Sequence, residues 1–228
     1  MDSEEWKCKH EFAVKIYYGW NIIYGVAHGT DCDHHNVLHL TLQRDAFDCA
    51  ILWFLQWLPA TLQAPIRYFC PGYFLPPNVI LKKLKPEWDE EFDREKTMYK
   101  RLRPLQGRVI PMYHGEARCD RTRAIILEEI GGVPPYGLRP PFLLPPDEYR
   151  RRLEVAYQAL CGFGVMTGDD QLGNTLILDD KVVFVDLENL FEVEDYKDLD
   201  GWVRSTIKHL VDRYKVFLQS GNSPRGRH

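Results

Sequence analysis

The sequence predicts an α+β chain in two lobes, a small β-rich lobe leading into a mainly helical one. Three observations carry this. β-like segments at 79–85 and 123–130 flank a helical pattern at 87–102. The pair Gly131-Gly132 and the stretch "VPPYGLRPPFLLPP", which holds six of the fifteen prolines, then interrupt the chain. Beyond them, two helical patterns frame a short hairpin. A hinge and a stiff strap between two such parts imply a cleft.

Bulk properties narrow the function classes. At 228 residues the chain is long enough for a sizeable core, and 45% hydrophobic with 27% charged residues is a globular balance. The formal charge of −4, with no basic track, argues against nucleic acid as a partner. Cys8, Cys32, Cys49, Cys70, Cys119 and Cys161 are scattered singly with no C-x-x-C pair, and the charged opening MDSEEWKCKH is no signal peptide. Free thiols and an intracellular, cytoplasmic setting are expected.

The elements follow in order. Residues 1–75 resist parsing and are assigned to an atypical first lobe. Within them "AFDCAILWFLQWL" (46–58), ended by Pro59, is too short to span a bilayer and reads as a buried or docking helix. "VILKKLK" (79–85) is a strand bounded by prolines. "EWDEEFDREKTMYKRL" (87–102) is a helix, with acids in its first turn and Lys100 and Arg101 in its last. Residues 76–130 thus form the core of the first lobe, and "RAIILEEI" (123–130) is its buried strand. The hinge, strap and second lobe occupy 131–220. There Asp147 can cap a helix carrying Tyr149, Leu153, Tyr157 and Leu160 on one face. "TLIL-DDK-VVFV" (175–185) is a hairpin, and a helix near 199–219 lines up Val203, Ile207, Leu210, Tyr214 and Phe217. The tail 221–228 is expected to fray.

Three placements carry chemistry. The 87–102 helix runs Trp88, Phe92, Glu95, Tyr99 and Leu102 along one stripe, so Glu95 sits among apolar residues. A carboxylate there either leans into water or meets a cation. The preceding strand offers Lys82 on one face and Lys83 on the other, and one of them is expected to face the helix. In the hairpin, a loop of 179–181 pairs 176 with 184 and sets Asn174 opposite Asp186. An amide oxygen beside a carboxylate suits Mg²⁺, although both residues also serve as strand-end caps. Asp169, five residues before Asn174, projects from the same loop, with Asp170 as its follower. The histidine-rich "HGTDCDHHNVLH" (28–39) lacks the paired spacing of a zinc site and reads as a solvated loop. Cys161 reads as a buried thiol.

In these residues the chain resembles the protein-kinase-like superfamily, whose catalytic loop H-R-D-x-x-x-x-N precedes a hairpin and D-F-G. Here Thr167-Gly168-Asp169 is followed by four residues, Asn174, the hairpin and Asp186-Leu187-Glu188. Val79-Ile80-Leu81-Lys82 is similar to the family's lysine strand, Glu95 to its helix acid, and "LEEIGG" (127–132) to its hinge. The match covers roughly residues 76–200 in order. It looks most like the short kinase-like proteins of fungi, with a loop also similar to aminoglycoside-phosphotransferase-like kinases.

The resemblance implies a two-lobed protein-kinase-like fold, with an atypical β-rich N-lobe and a shortened, mainly helical C-lobe. It implies ATP and Mg²⁺ as cofactors and a hydroxyl of a protein or small molecule as acceptor. Lys82 would hold the phosphates and be positioned by Glu95. Glu128, Glu129 and Ile130 would contribute the backbone that holds the nucleotide. Asp169 would act on the acceptor hydroxyl, while Asn174 and Asp186 would hold the metal. Thr167 in place of the family's histidine, Leu187-Glu188 in place of Phe-Gly, and the lack of a glycine-rich phosphate loop point to the alternative, a pseudokinase that binds without transfer.

Overall fold

The computed structural model describes residues 11–28, 36–140, 142–168, 171–193 and 199–220. The fold is α+β, β-rich in its N-terminal part and helical in its C-terminal part. It divides into two compact units, which the chain crosses three times. The first comprises residues up to Glu90 together with Tyr113–Glu129; the second comprises Glu91–Met112 and the chain from Ile130 onward.

The first unit is built on six antiparallel strands. They are β1 (Glu11–Tyr18), β2 (Asn21–His28), β3 (Val37–Gln43), β4 (Asn78–Lys83), β5 (Tyr113–Cys119) and β6 (Thr122–Glu128). Their order is β1-β2-β3-β4-β6-β5, closed into a barrel by a seam of two pairs, Ile16 with Cys119 and Tyr17 with Arg118. Alternate residues fill the interior: Val14, Ile16 and Tyr18 from β1, Leu38, Leu40 and Leu42 from β3, Val79 and Leu81 from β4. Removing such aliphatic side chains from water stabilises the unit by about 1.5–3 kcal/mol each. The stretch that resisted parsing therefore supplies half of the barrel.

Two helices lie between β3 and β4: α1 (Ala46–Trp57) and α2 (Ala60–Phe69). The Asp45 side chain accepts from the Asp48 N–H and the Asp48 side chain from the Asp45 N–H, a capping box that starts α1. Of the two expectations for this run, buried or docking, the buried one fails. Only Leu55 is buried on α1, whereas Phe47, Trp53, Phe54 and Trp57 are exposed. Hydrophobicity sufficed to make the helix, but the barrel core is filled from its own strands and gives α1 no apolar seat.

The second unit carries most of α3 (Asp89–Arg101), with α4 (Pro146–Cys161) and α5 (Leu199–Gln219). Tyr149, Leu153, Tyr157 and Leu160 of α4 are all buried, as are Ile207, Leu210 and Tyr214 of α5. The Tyr149 and Tyr214 rings meet at 4.9 Å between centroids, and Tyr157 packs edge-on against Phe184 at 5.0 Å. Asp147 does not cap α4. The helix starts on Pro145 and Pro146, whose fixed φ suits a first turn, and Asp147 lies inside that turn. Four short strands complete the unit: β7 (Val165–Thr167) pairs with β10 (Leu190–Glu192), and β8 (Thr175–Ile177) with β9 (Val182–Phe184). The tail 221–228 lies outside the described residues. Among the described residues no helix is long and apolar enough to cross a membrane.

Candidate functional site

The residues singled out by sequence divide between the two units. In the first, Lys82 lies on β4 between the core residues Val79 and Leu81 and the strand's end. Alternation turns it away from the barrel interior, yet it is only 7% exposed. Lys83 takes the interior-facing register, where its charge acts on the Cys119 thiol at the barrel end. Burial nevertheless pushes that thiol up to about 11. Glu128 ends β6 and Glu129 follows it, both half-buried. The Glu129 carboxylate meets the His39 Nδ1 of β3 at 2.6 Å, an ion pair when the imidazole is protonated. Sequence had set His39 in a solvated loop; it stands on a strand. His28 likewise ends β2 and contacts Glu11 and Thr41. Residues 29–35 of that histidine-rich stretch lie outside the described residues, and among the described ones no cluster of metal-binding side chains occurs.

In the second unit, α3 places Phe92, Glu95, Tyr99 and Leu102 inward as the stripe predicted, with Glu95 1% exposed. Trp88 does not share that face. It precedes the helix, is 43% exposed, and carries the Lys85 ammonium 4.5 Å over its ring. Glu87 beside it has φ of 64°, a left-handed residue that redirects the chain before α3 begins.

Tyr99 is the residue that sequence reasoning undervalued, because it counted only as one more apolar position. Its phenol is fully buried and its pKa is held well above the ordinary value, first by burial, then by the charges of Glu95 and Asp186. One hydroxyl thus feels two carboxylates that lie ninety-one residues apart in sequence. The second unit brings Glu95 and Asp186 into one electrostatic neighbourhood. No spacing rule joins an α3 acid to the end of a hairpin; in the sequence only the order of motifs set the two acids at one site.

The hairpin differs from its expected register by one residue. Thr175 pairs with Phe184, Leu176 with Val183 and Ile177 with Val182. Leu178 belongs to the turn, its N–H donating to the Lys181 carbonyl at 2.9 Å, so the turn has four residues rather than three. A one-residue slip changes every partner. Asn174 therefore opposes Val185, whose N–H donates to the Asn174 carbonyl at 3.1 Å, and Asp186 lies one step further on. Asp186 Oδ1 accepts the Glu188 N–H at 3.1 Å, a local turn that fixes the carboxylate as β9 ends.

The loop before Asn174 is anchored at both ends. The Gly168 N–H donates to the Asn189 carbonyl, and Thr167 pairs with Leu190. At the other end a 3-10 turn, Leu172–Asn174, leads into Thr175. The buried Thr175 hydroxyl donates to the Leu172 carbonyl at 3.0 Å and lies 3.2 Å from the Tyr149 hydroxyl. Asp169 and Asp170, the acids between these anchors, lie outside the described residues. Thr167 is 4% exposed, and Leu187 is fully buried. Cys161 is half-buried with a raised thiol pKa, its Sγ 3.3 Å from the Met166 sulfur.

No family description matches the chain, and no curated protein matches it. Among solved structures it is similar to the crystal structure of the Mycobacterium tuberculosis PknI kinase domain, in a point-mutant form. The sequences are 16% identical and the TM-score is 0.47, over 81% of this chain and 71% of that one. A likeness of this degree carries neither family membership nor activity.

Proposed function

We propose that the chain is a kinase-like, ATP- and Mg²⁺-dependent phosphotransferase acting on a hydroxyl of a protein or a small molecule. The observation that carries this reading is the convergence of Glu95 and Asp186 on the buried Tyr99 hydroxyl. Two carboxylates gathered in one unit resemble the acids that such enzymes devote to the phosphate-binding lysine and to the metal. The donor set fits the metal. Asp186 and Asn174 offer a carboxylate and an amide oxygen on neighbouring chain segments, and Mg²⁺ takes few protein oxygens while sharing phosphates and water. Bound there, the metal would neutralise charge on the transferred phosphoryl group.

In this reading Lys82 supplies the cation for the phosphates, with Glu95 as its positioning carboxylate. The backbone of Glu128, Glu129 and Ile130 holds the adenine, and Asp169 orients the acceptor hydroxyl. Catalysis of this kind is positioning plus electrostatics, so each group acts through where it is held. A second reading, a pseudokinase, is favoured by Thr167 and Leu187, which bury side chains where the family keeps a histidine and a mobile phenylalanine.

The test measures thermal shift with ATP, with and without Mg²⁺, alongside phosphate release. The expected result is a Mg²⁺-dependent shift lost in Asp186→Asn. Asp169→Asn should keep the shift and lose about a hundredfold or more in turnover. A shift in the wild type without turnover would establish the pseudokinase instead. If ATP and Mg²⁺ shift nothing, both readings fall.

A further inference from the structure

The chain loses its backbone ladder where β6 ends. The last pair of β6 sets Glu128 opposite Val79, and the next bridge is Val133 with Ile177, whose N–H groups donate to each other's carbonyls at 3.0 and 2.8 Å. Between them, among the described residues, Ile130, Gly131 and Gly132 make no hydrogen bond. Backbone groups left open in this way bond water or a ligand. On the barrel side a side chain supplies the support. The Glu129 carboxylate meets His39 Nδ1 at 2.6 Å, across ninety residues of sequence, with both side chains half-buried. Leu38 and Leu40 fill the barrel, so His39 between them stands on the outer face of β3. Since β4 lies between β3 and β6 in the sheet, this one contact spans it. The other polar groups of that face are tied elsewhere. His28, opposite His39 on β2, contacts Glu11 and Thr41, and the Thr41 hydroxyl donates to Asn78 Oδ1 at 3.1 Å.

We infer that His39 is a positioning residue for the segment 128–130, and that its protonation sets how tightly the chain holds a nucleotide. The inference rests on the reading that the backbone of this segment holds the adenine. A neutral imidazole gives Glu129 one N–H···O bond, whereas an imidazolium gives it a charge-assisted one, roughly twice as strong. The stronger bond holds Glu129, and with it the neighbouring N–H and C=O of Ile130, in one place before the ligand arrives. Ordering completed in advance is not subtracted from the binding energy. The charged groups on this face fix the sign. His28 of β2, when protonated, and Lys82 on the outward register of β4 oppose a charge on His39, Glu11 of β1 is engaged by His28, and Glu129 favours that charge. An imidazole changes charge between about pH 5 and 8. The pair with Glu129 is therefore strongest on the acid side of that window and weakens as pH rises through it, and nucleotide affinity follows.

The experiment measures the Kd of the full chain for ATP with Mg²⁺ from about pH 5 to 8, in the wild type, His39→Gln and His39→Arg. Each variant is read as a ratio to the wild type at the same pH, so that the titration of ATP itself cancels. His39→Gln donates a proton without carrying charge. It should bind about fivefold more weakly than the wild type at the acid end and match it at the alkaline end. His39→Arg is a cation throughout, so it should match the wild type in acid and bind about fivefold more tightly at the alkaline end. Hydrogen exchange at the Ile130 amide, measured without nucleotide, should give protection ratios with the same dependence on pH. A merely structural role would give ratios that are equal at every pH, and that result overturns the inference. If ATP binds and the ratios are flat, only the role of His39 falls. If no form binds ATP at any pH, the phosphotransferase reading falls and the inference falls with it.

Discussion

The hydroxyl pair behind Asn174 gives a prediction whose size follows from counting hydrogen bonds. Thr175 spends its proton on the Leu172 carbonyl, so the 3.2 Å contact with Tyr149 has the phenol as donor. Burial pushes that phenol up to about 12, so it stays protonated. Tyr149→Phe removes one donor and leaves the Thr175 hydroxyl still bonded to Leu172, at a cost of about 0.5–1.5 kcal/mol. Thr175→Val is worse, because it strands the phenol in a dry core, while the Leu172 carbonyl keeps its bond from the backbone N–H of residue 175. A buried orphan costs about 1–3 kcal/mol, so the variant should lose about that much. In the double variant nothing is stranded, and the loss should not exceed that of Thr175→Val alone. Urea unfolding of all four proteins measures the coupling, expected at about 1 kcal/mol or more. Losses that add to within about 0.5 kcal/mol would refute the chain of bonds, and with it the account of how the Asn174 loop is held.

Gly131 and Gly132 should respond in opposite ways. A Cβ on Gly132 would meet the Leu176 Cβ and Leu178 Cδ1 at 2.9 Å, whereas one on Gly131 meets nothing within 4 Å. Gly132→Ala should cost about 1–3 kcal/mol in a urea melt and Gly131→Ala should be neutral or gain a few tenths. Arg151 and Arg152 hold Glu148 at about 2, below its ordinary 4.5, through hydrogen bonds and charge. A depressed carboxylate stabilises above its unfolded value, so the contribution is full above pH 4.5 and disappears as pH falls toward 2. Melting temperatures of the wild type and Glu148→Gln should therefore differ at neutral pH and converge across that window.

Where a segment buries one clean face, the sequence disclosed it. The α4 residues Tyr149, Leu153, Tyr157 and Leu160 all lie in the core, and the Glu95 stripe holds from Phe92 to Leu102. The barrel's first strands were opaque for a physical reason. Tyr17 of β1 and Ile22 and Tyr24 of β2 stand on the outward register and remain half-exposed, so apolar residues on the outer face blur the alternation. The α1 run misled through the same property, since an apolar sequence does not say whether other protein is there to cover it. The hairpin count erred because Leu178 looks like a strand residue and serves as a turn residue. The pairing of Asn174 with Asp186 rested on that count and shifts by one residue; only their order in the motif is independent of the register. Tyr99 was missed because its role comes from two distant acids rather than from its neighbours in the chain.

The barrel's two-pair seam has a consequence for the chemistry of its interior. Other neighbouring strands are joined by five to eight residue pairs, so the junction of β1 with β5 is the joint where a local opening breaks fewest bonds. Cys119 sits in that seam, fully buried, with a thiol that is protonated at neutral pH. Its reaction with an alkylating agent must wait for the ring to part, whereas Cys49 on α1 is exposed throughout. Two thiols in one unit thus keep different clocks: Cys49 records the reagent, and Cys119 records how often the barrel breathes.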